Sequence, residues 1–223
     1  MLLFAGCAAG PHSIIIHETD REVVSVSFDP KAREGHSHPA TLAVAQIAEV
    51  LRGVRVTKRD PLGFSAFGGG DAVAALTPPE IISLAPHLSE AFRKASPKDL
   101  VTFYFVTADR VQGRLITSGG MFVRGGRLYL ILANAHMPLS SGPYEGTAYE
   151  MDNRDAPLQP LGRYKFTTGF VPAHAVIPHA ELRGTEGHRP YANEANVVVL
   201  DLARLFPESK PAATVAPVLP LSR

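Results

Sequence analysis

The histidines are the residues of this chain whose types and spacing could do chemistry. There are nine of them in 223 residues, and His36 and His38 stand two positions apart. In an extended backbone, side chains two apart point to one side, so these imidazoles could share a metal ion, with Glu34 as an oxygen ligand. Later residues of metal-ligating type could complete the site if the fold brings them near: His174, His179, Glu186 and His188. The sequence therefore predicts a candidate metal site, and solvated loop histidines are the alternative.

Nucleophilic chemistry has weaker support. Ser65, in Gly63-Phe64-Ser65-Ala66-Phe67, approaches the Gly-x-Ser-x-Gly pattern of a nucleophile elbow, but Phe67 stands where the second glycine belongs. The glycines that follow, Gly68-Gly69-Gly70, could donate amides to an oxyanion or form a plain connection. They lack the Lys-Ser/Thr of a phosphate-binding loop. We therefore assign no catalytic residue and expect no cofactor.

The one cysteine of the chain, Cys7, ends the segment Leu3-Phe4-Ala5-Gly6-Cys7. This segment resembles the cleavage box of bacterial lipoprotein signals. The resemblance implies a lipid on Cys7 and a place in the cell envelope, and Ala8 after it favours the outer membrane, facing the periplasm. A signal also needs a basic start and an apolar stretch of ~7–15 residues, whereas six residues precede Cys7. Either the natural start lies further upstream, or the match is accidental and Cys7 is an inert or buried thiol.

Composition limits the other possibilities. Apolar residues make up 45% of the chain and charged residues 19%, with a net charge of +1, which is ordinary globular composition without a basic field for nucleic acid. The length suits one domain with its own core. No run of eighteen apolar residues occurs, so a membrane attachment has to come from Cys7 or from residues before it.

Two amphipathic helices are predicted. Pro39 suits a first helical position, apolar residues follow at three- and four-residue spacing, and Gly53 is expected to end the helix. Thr77-Pro78-Pro79-Glu80 has the form of a capping box, which predicts a second helix that begins there. Pro86 predicts a kink or a restart within that second helix.

Seven strand-like segments are predicted elsewhere in the chain. Gly125-Gly126 predicts a two-residue hairpin turn in which Phe122 faces Tyr129. Ser118-Gly119-Gly120 favours a bulge in the incoming strand, with a second turn as the alternative. The predicted strands are β-branched, aromatic or alternating runs: Glu22–Phe28, 54–59, Leu100–Thr107, Arg114–Val123, Arg127–Ala133, Tyr164–Val171 and Val197–Leu200.

These elements predict a single α+β domain over residues 21–206, with a mainly antiparallel sheet and two helices on one face. Residues 1–20 are interpreted as a signal remnant and tether, and residues 207–223 as a disordered tail rich in Pro and Ala.

The segment 137–161 has no sustained period, which is typical of a functional loop, although a long ordered crossing over the sheet edge is an equal alternative. It contains the residues assigned to a candidate partner surface: Tyr144, Tyr149, Asp152 and Arg154. We expect a membrane-tethered accessory protein that binds another envelope protein or a cell-wall polymer through the sheet face, this loop or the tail. The alternative is a periplasmic metal-binding protein or hydrolase that uses the loop histidines.

Overall fold

The computed structural model describes residues 13–58, 71–139, 153–161, 166–182 and 196–207. These residues form a single α+β domain with open sheets, as the sequence predicts. None of the helices in these ranges combines the length and apolar character that a membrane span requires.

The larger sheet has six antiparallel strands in the order β1-β2-β5-β6-β7-β9. Its strands are β1 (Ser13–Glu18), β2 (Glu22–Phe28), β5 (Asp99–Asp109), β6 (Gly113–Arg124), β7 (Arg127–Pro138) and β9 (Val197–Asp201). A smaller sheet has the order β4-β3-β8, formed by Val73–Ala74, Val54–Lys58 and Phe166–Phe170.

The β6–β7 hairpin follows the predicted register. Gly125 and Gly126 have φ of 57° and 74°, a conformation that costs glycine little and other residues much more. Phe122 faces Tyr129 as predicted, with ring centroids 4.5 Å apart. The register shifts on both sides of Ser118, but the extra residues lie in β7, so the bulge is at the predicted position of the hairpin and on the other strand.

Two long helices pack on one face of the large sheet: α1 (Val44–Gly53) and α2 (Pro78–Lys94). Ile47 of α1 and Leu88 of α2 share one buried cluster with Val24 and Val26 of β2 and Leu130 of β7. The short helices α3 (His179–Leu182) and α4 (Leu202–Leu205) follow later in the chain. We call the face covered by α1 and α2 the helix face. The opposite face, which these two helices leave uncovered, is called the open face.

Two further local predictions differ from the structure, and for a third, one of its two alternatives is excluded. Residues 13–18 were expected in a tether, but they form edge strand β1 paired with β2, because an irregular apolar run can still complete a sheet. Helix α1 begins at Val44 instead of Pro39, and the Gln46 side chain accepts the Ala43 amide at 2.9 Å. Helix α2 continues through Pro86 without a restart.

Candidate binding groove

A groove of about 390 Å³ lies on the open face at the β1 edge of the large sheet. It falls in the size range of small-ligand sites, which is about 300–1,000 Å³. Strands β1 and β2 form its floor and the segment 153–161 forms a wall. Its lining residues are Ser13, Ile15, Glu18, Val23, Ser25, Ser27, Phe28, Arg154, Asp155 and Pro157.

Strand periodicity places a row of hydroxyls in this groove. Val24 and Val26 of β2 point into the helix-face core, so Ser25 and Ser27 point to the open face. Ser27 Oγ lies 3.2 Å from Ser13 Oγ and 3.4 Å from Ser25 Oγ, and Ser25 Oγ lies 2.7 Å from Thr102 Oγ1. The hydroxyls therefore run from the sheet edge inward across three strands.

Arg154 forms the wall beside the β1–β2 turn. Its guanidinium donates to the carbonyl oxygens of Thr19 at 3.1 Å and Asp20 at 2.7 Å, and it lies 3.6 Å from the Glu18 carboxylate. The same group sits 5.8 Å from the Tyr104 ring centroid. Arg154 thus ties the segment 153–161 to the hairpin that forms the floor.

Two buried polar side chains hold the other part of this segment. Ser118 Oγ donates to the Pro157 carbonyl at 2.7 Å. Asn134 donates to the Gln159 carbonyl at 3.0 Å and accepts the Leu161 amide at 2.8 Å. Because buried polar groups are costly to leave unpaired, these bonds fix the wall against the sheet.

Comparison with protein-family models, with curated proteins and with solved structures finds no match for this chain. Its function therefore has to be argued from side-chain chemistry.

The groove combines three kinds of contact. Serine hydroxyls both donate and accept hydrogen bonds. Glu18 and Asp155 add carboxylates, while Ile15, at 57% exposure, and Phe28, at 39%, offer apolar surface. Such a lining suits a ligand that carries many hydroxyl groups on a carbon framework.

The histidine pair of the sequence prediction lies elsewhere, buried where the loop after β2 meets β6. His36 Nε2 donates to the Asp29 carboxylate at 2.9 Å, and the His36 ring stacks on Phe122. His38 Nε2 accepts the Val123 amide at 3.1 Å. Burial, together with the neighbouring His36, lowers the pKa of His38 to about 4, so His38 is neutral at pH 7. Both imidazoles join the loop to the sheet.

The remaining predicted ligands are only partly described. His174 is exposed, and His179 Nε2 donates to the Val197 carbonyl at 3.0 Å. Within the described ranges, none of His36, His38, His174 and His179 belongs to a group of three candidate ligands with ligand atoms within 4.8 Å of one another. His188 lies outside those ranges, so a metal site that includes it stays a prediction.

Several other predicted residues also lie outside the described ranges. They are Cys7, Ser65, Tyr144, Tyr149, Asp152 and Glu186. Of the candidate partner surface, the structure describes Arg154 alone and places it in the groove wall.

A buried carboxylate and a partly exposed imidazole join the start of α2 to the sheet. Glu80 is 1% exposed and accepts hydrogen bonds from Thr107 Oγ1 at 2.5 Å, from the Thr77 amide at 2.6 Å and from His136 Nε2 at 3.1 Å. His136 has φ of 46°, a positive value that a non-glycine residue adopts at a cost of about 1–3 kcal/mol. The pair therefore holds a strained strand end against the helix.

Sequence reasoning missed the groove residues of β1 and β2. The alternation of Ser25 and Ser27 with Val24 and Val26 was a usable signal, since it marks one face of β2 as hydroxyl-rich. The contribution of Ser13 had no such signal, because it depends on β1 pairing with β2.

Proposed function

We propose that this protein is a non-enzymatic accessory protein of the bacterial cell envelope that binds a polyhydroxylated cell-wall polymer in the open-face groove. The observation that carries the proposal is the hydroxyl row of Ser13, Ser25 and Ser27 along the groove floor. A lipid on Cys7 would hold the domain at the membrane surface.

The hydroxyl chemistry favours a glycan over an apolar partner. Each serine can exchange its contact to a neighbouring serine for one to a ligand hydroxyl, because a hydroxyl donates once and accepts twice. Such an exchange leaves no buried group unpaired. The exposed side chains of Ile15 and Phe28 can cover the C–H surface of a sugar ring, which is apolar.

The fixed wall supports binding without large rearrangement. Arg154, Ser118 and Asn134 anchor the segment 153–161 at both ends, so the groove does not have to form when a ligand enters. A preformed site loses less conformational entropy on binding. The carboxylates of Glu18 and Asp155 can accept hydrogen bonds from sugar hydroxyl or amide groups.

The binding test uses sedimentation of the purified protein with insoluble cell-wall glycan. We expect Ser13→Val with Ser27→Val to lower the affinity about tenfold or more, since each lost hydroxyl contact is worth about 1 kcal/mol. Thr167→Val is the matched control, because it removes a hydroxyl from β8 in the smaller sheet. Undiminished binding by the double variant would exclude the groove, and no sedimentation of the wild type would exclude the polymer.

The anchor has a separate test. The chain expressed with its upstream coding sequence should partition into detergent and carry the mass of a lipid, and Cys7→Ser should lose both properties. Identical partitioning and mass increments for the two proteins would refute the anchor and leave the groove proposal standing.

A further inference from the structure

A second cluster of chemistry-bearing side chains lies on the helix face, behind the strands that form the groove floor. It consists of His17 from β1, Glu22 from β2 and His87 from α2. The β1–β2 register shifts between Ile15 and His17. This bulge turns His17 to the side of α2, whereas Ile15 lines the groove, and bulges often re-aim a side chain in this way.

Glu22 is the central member of the cluster, and among the described residues only one of its carboxylate oxygens has a hydrogen-bond partner. Glu22 as a whole is only 3% exposed to solvent. Ser83 Oγ donates a hydrogen bond to Oε2, but the buried Oε1 has no hydrogen-bond partner among the described residues. A buried carboxylate oxygen without a donor is costly unless a cation compensates it. A positively charged ligand at Oε1 would therefore stabilise the buried carboxylate.

The two imidazoles are placed to supply that ligand's other contacts. The His17 and His87 rings lie parallel, with centroids 3.6 Å apart and planes inclined by 4°. One ligand atom from each histidine and one Glu22 oxygen all lie within 4.8 Å of one another. A zinc ion binds nitrogen and oxygen at about 2.0–2.2 Å, so these atoms need to close by only an ångström or so around an ion.

The stacked arrangement must open slightly to hold an ion, because a metal lies near the plane of each imidazole that binds it. Rotation about χ2 of each histidine brings the ion into the plane of its ring, and this torsion has a broad energy minimum in histidine. Both imidazoles are half-buried, so solvent reaches the cluster, and a water would supply the fourth ligand of a tetrahedral ion. Ser83 fixes the other carboxylate oxygen, as the partners of metal ligands commonly do.

We propose that His17, Glu22 and His87 form a binding site for a divalent transition-metal ion of the zinc class. Two imidazoles and one carboxylate suit zinc and its neighbours, whereas Mg²⁺ and Ca²⁺ prefer oxygen-only sites. The ion links edge strand β1 to β2 and to α2, and so fixes the outermost strand of the sheet. The site is independent of ligand binding in the groove.

The test titrates the full chain, first stripped with a chelator, with Zn²⁺ and follows heat and thermal unfolding. We expect one ion per chain and, at a free Zn²⁺ concentration of about 100 times Kd, a rise in Tm of about 5 °C or more. Mg²⁺ and Ca²⁺ at the same concentration should leave Tm unchanged. A wild type that binds no Zn²⁺ overturns the proposal.

Variants assign the ligands. His87→Ala and Glu22→Gln should each weaken Zn²⁺ binding about 100-fold or more, since even residues that support ligands cost 10–100-fold. Glu22→Gln keeps the size of the side chain, and circular dichroism checks its fold. His174→Ala is the matched control, because His174 is an exposed histidine outside the cluster. Undiminished binding by Glu22→Gln and His87→Ala, or a loss with His174→Ala instead, would overturn the assignment.

Discussion

Two buried glutamates lie at helix α2, one within it and one beneath it, and they differ in how completely their carboxylates are paired. Glu80 belongs to α2 itself, and both of its oxygens accept hydrogen bonds, from Thr107, Thr77 and His136. Glu22 reaches α2 from β2, and one of its oxygens is held by Ser83 while the other has no hydrogen-bond partner in the described part of the chain. The two residues are almost equally buried, with Glu80 1% exposed and Glu22 3% exposed.

The difference separates a structural carboxylate from one that can bind a ligand. A fully paired carboxylate has no capacity left for an incoming ion, and it joins the elements that donate to it. A half-paired carboxylate is a liability in the free protein, because its desolvation is not compensated. Glu22 has two imidazoles beside it that can bind a metal ion together with its carboxylate. Glu80 has one imidazole beside it, and that imidazole already donates a hydrogen bond to the carboxylate.

The largest expected effect comes from breaking the paired carboxylate. Glu80→Gln removes the charge and leaves one acceptor oxygen in place of two, so the Thr77 amide and the His136 imidazole can no longer both donate to a carboxylate. We expect a loss of about 3 kcal/mol in the free energy of unfolding, the usual cost of breaking a buried, hydrogen-bonded pair. Urea denaturation at pH 7 measures it.

Glu90→Gln is the control on the same helix. The Glu90 carboxylate is exposed and pairs with Lys94, so its loss should leave the free energy of unfolding nearly unchanged. Equal stabilities for Glu80→Gln and Glu90→Gln would show that the hydrogen bonds to Glu80 do not stabilise the fold.

Low pH should reduce the contribution of Glu80 to the free energy of unfolding. Burial by itself raises the pKa of this carboxyl, but hydrogen bonds from His136, Thr107 and the Thr77 backbone outweigh burial and lower it below 4.5. A group with a lowered folded-state pKa stabilises fully above its unfolded pKa, and this contribution is lost as the pH falls through the folded value.

We therefore expect the stability gap between wild type and Glu80→Gln to narrow as the pH falls below about 4.5, where unfolded chains begin to take up the proton. Urea midpoints of both proteins between pH 3 and pH 7 measure the gap. A gap that widens toward pH 3 would contradict the lowered pKa.

The sequence predicted the fold better than it predicted the sites. Local signals identified β2, the Gly125-Gly126 turn and the Thr77–Glu80 helix start, because each depends on residues close together in the chain. Edge strand β1 was missed, since its strand character depends on pairing with β2. Long-range pairing of this kind leaves no periodic trace in a six-residue segment.

The candidate metal site could not be predicted for the same reason, and neither could the contribution of Ser13 to the groove. His17 and His87 are seventy residues apart in the chain and meet only because β1 packs beside α2. The spacing of His36 and His38 gave a stronger local signal, yet their Nε2 atoms bind Asp29 and the Val123 amide. Spacing in sequence predicts which side a residue faces and says little about which partner it finds there.

The smallest expected effect belongs to the half-paired carboxylate of Glu22. In the presence of a chelator, Glu22→Gln should change the free energy of unfolding by less than about 1 kcal/mol, because the glutamine oxygen can still accept from Ser83 while a poorly compensated buried charge is removed. Zn²⁺ should then raise the free energy of unfolding of the wild type and leave that of the variant unchanged. The wild type is therefore the more stable protein in Zn²⁺. Urea denaturation with chelator and with Zn²⁺ measures both states. A loss near 3 kcal/mol in chelator, as expected for Glu80→Gln, would mean that Glu22 is as fully engaged as Glu80, and the distinction between the two carboxylates would fail.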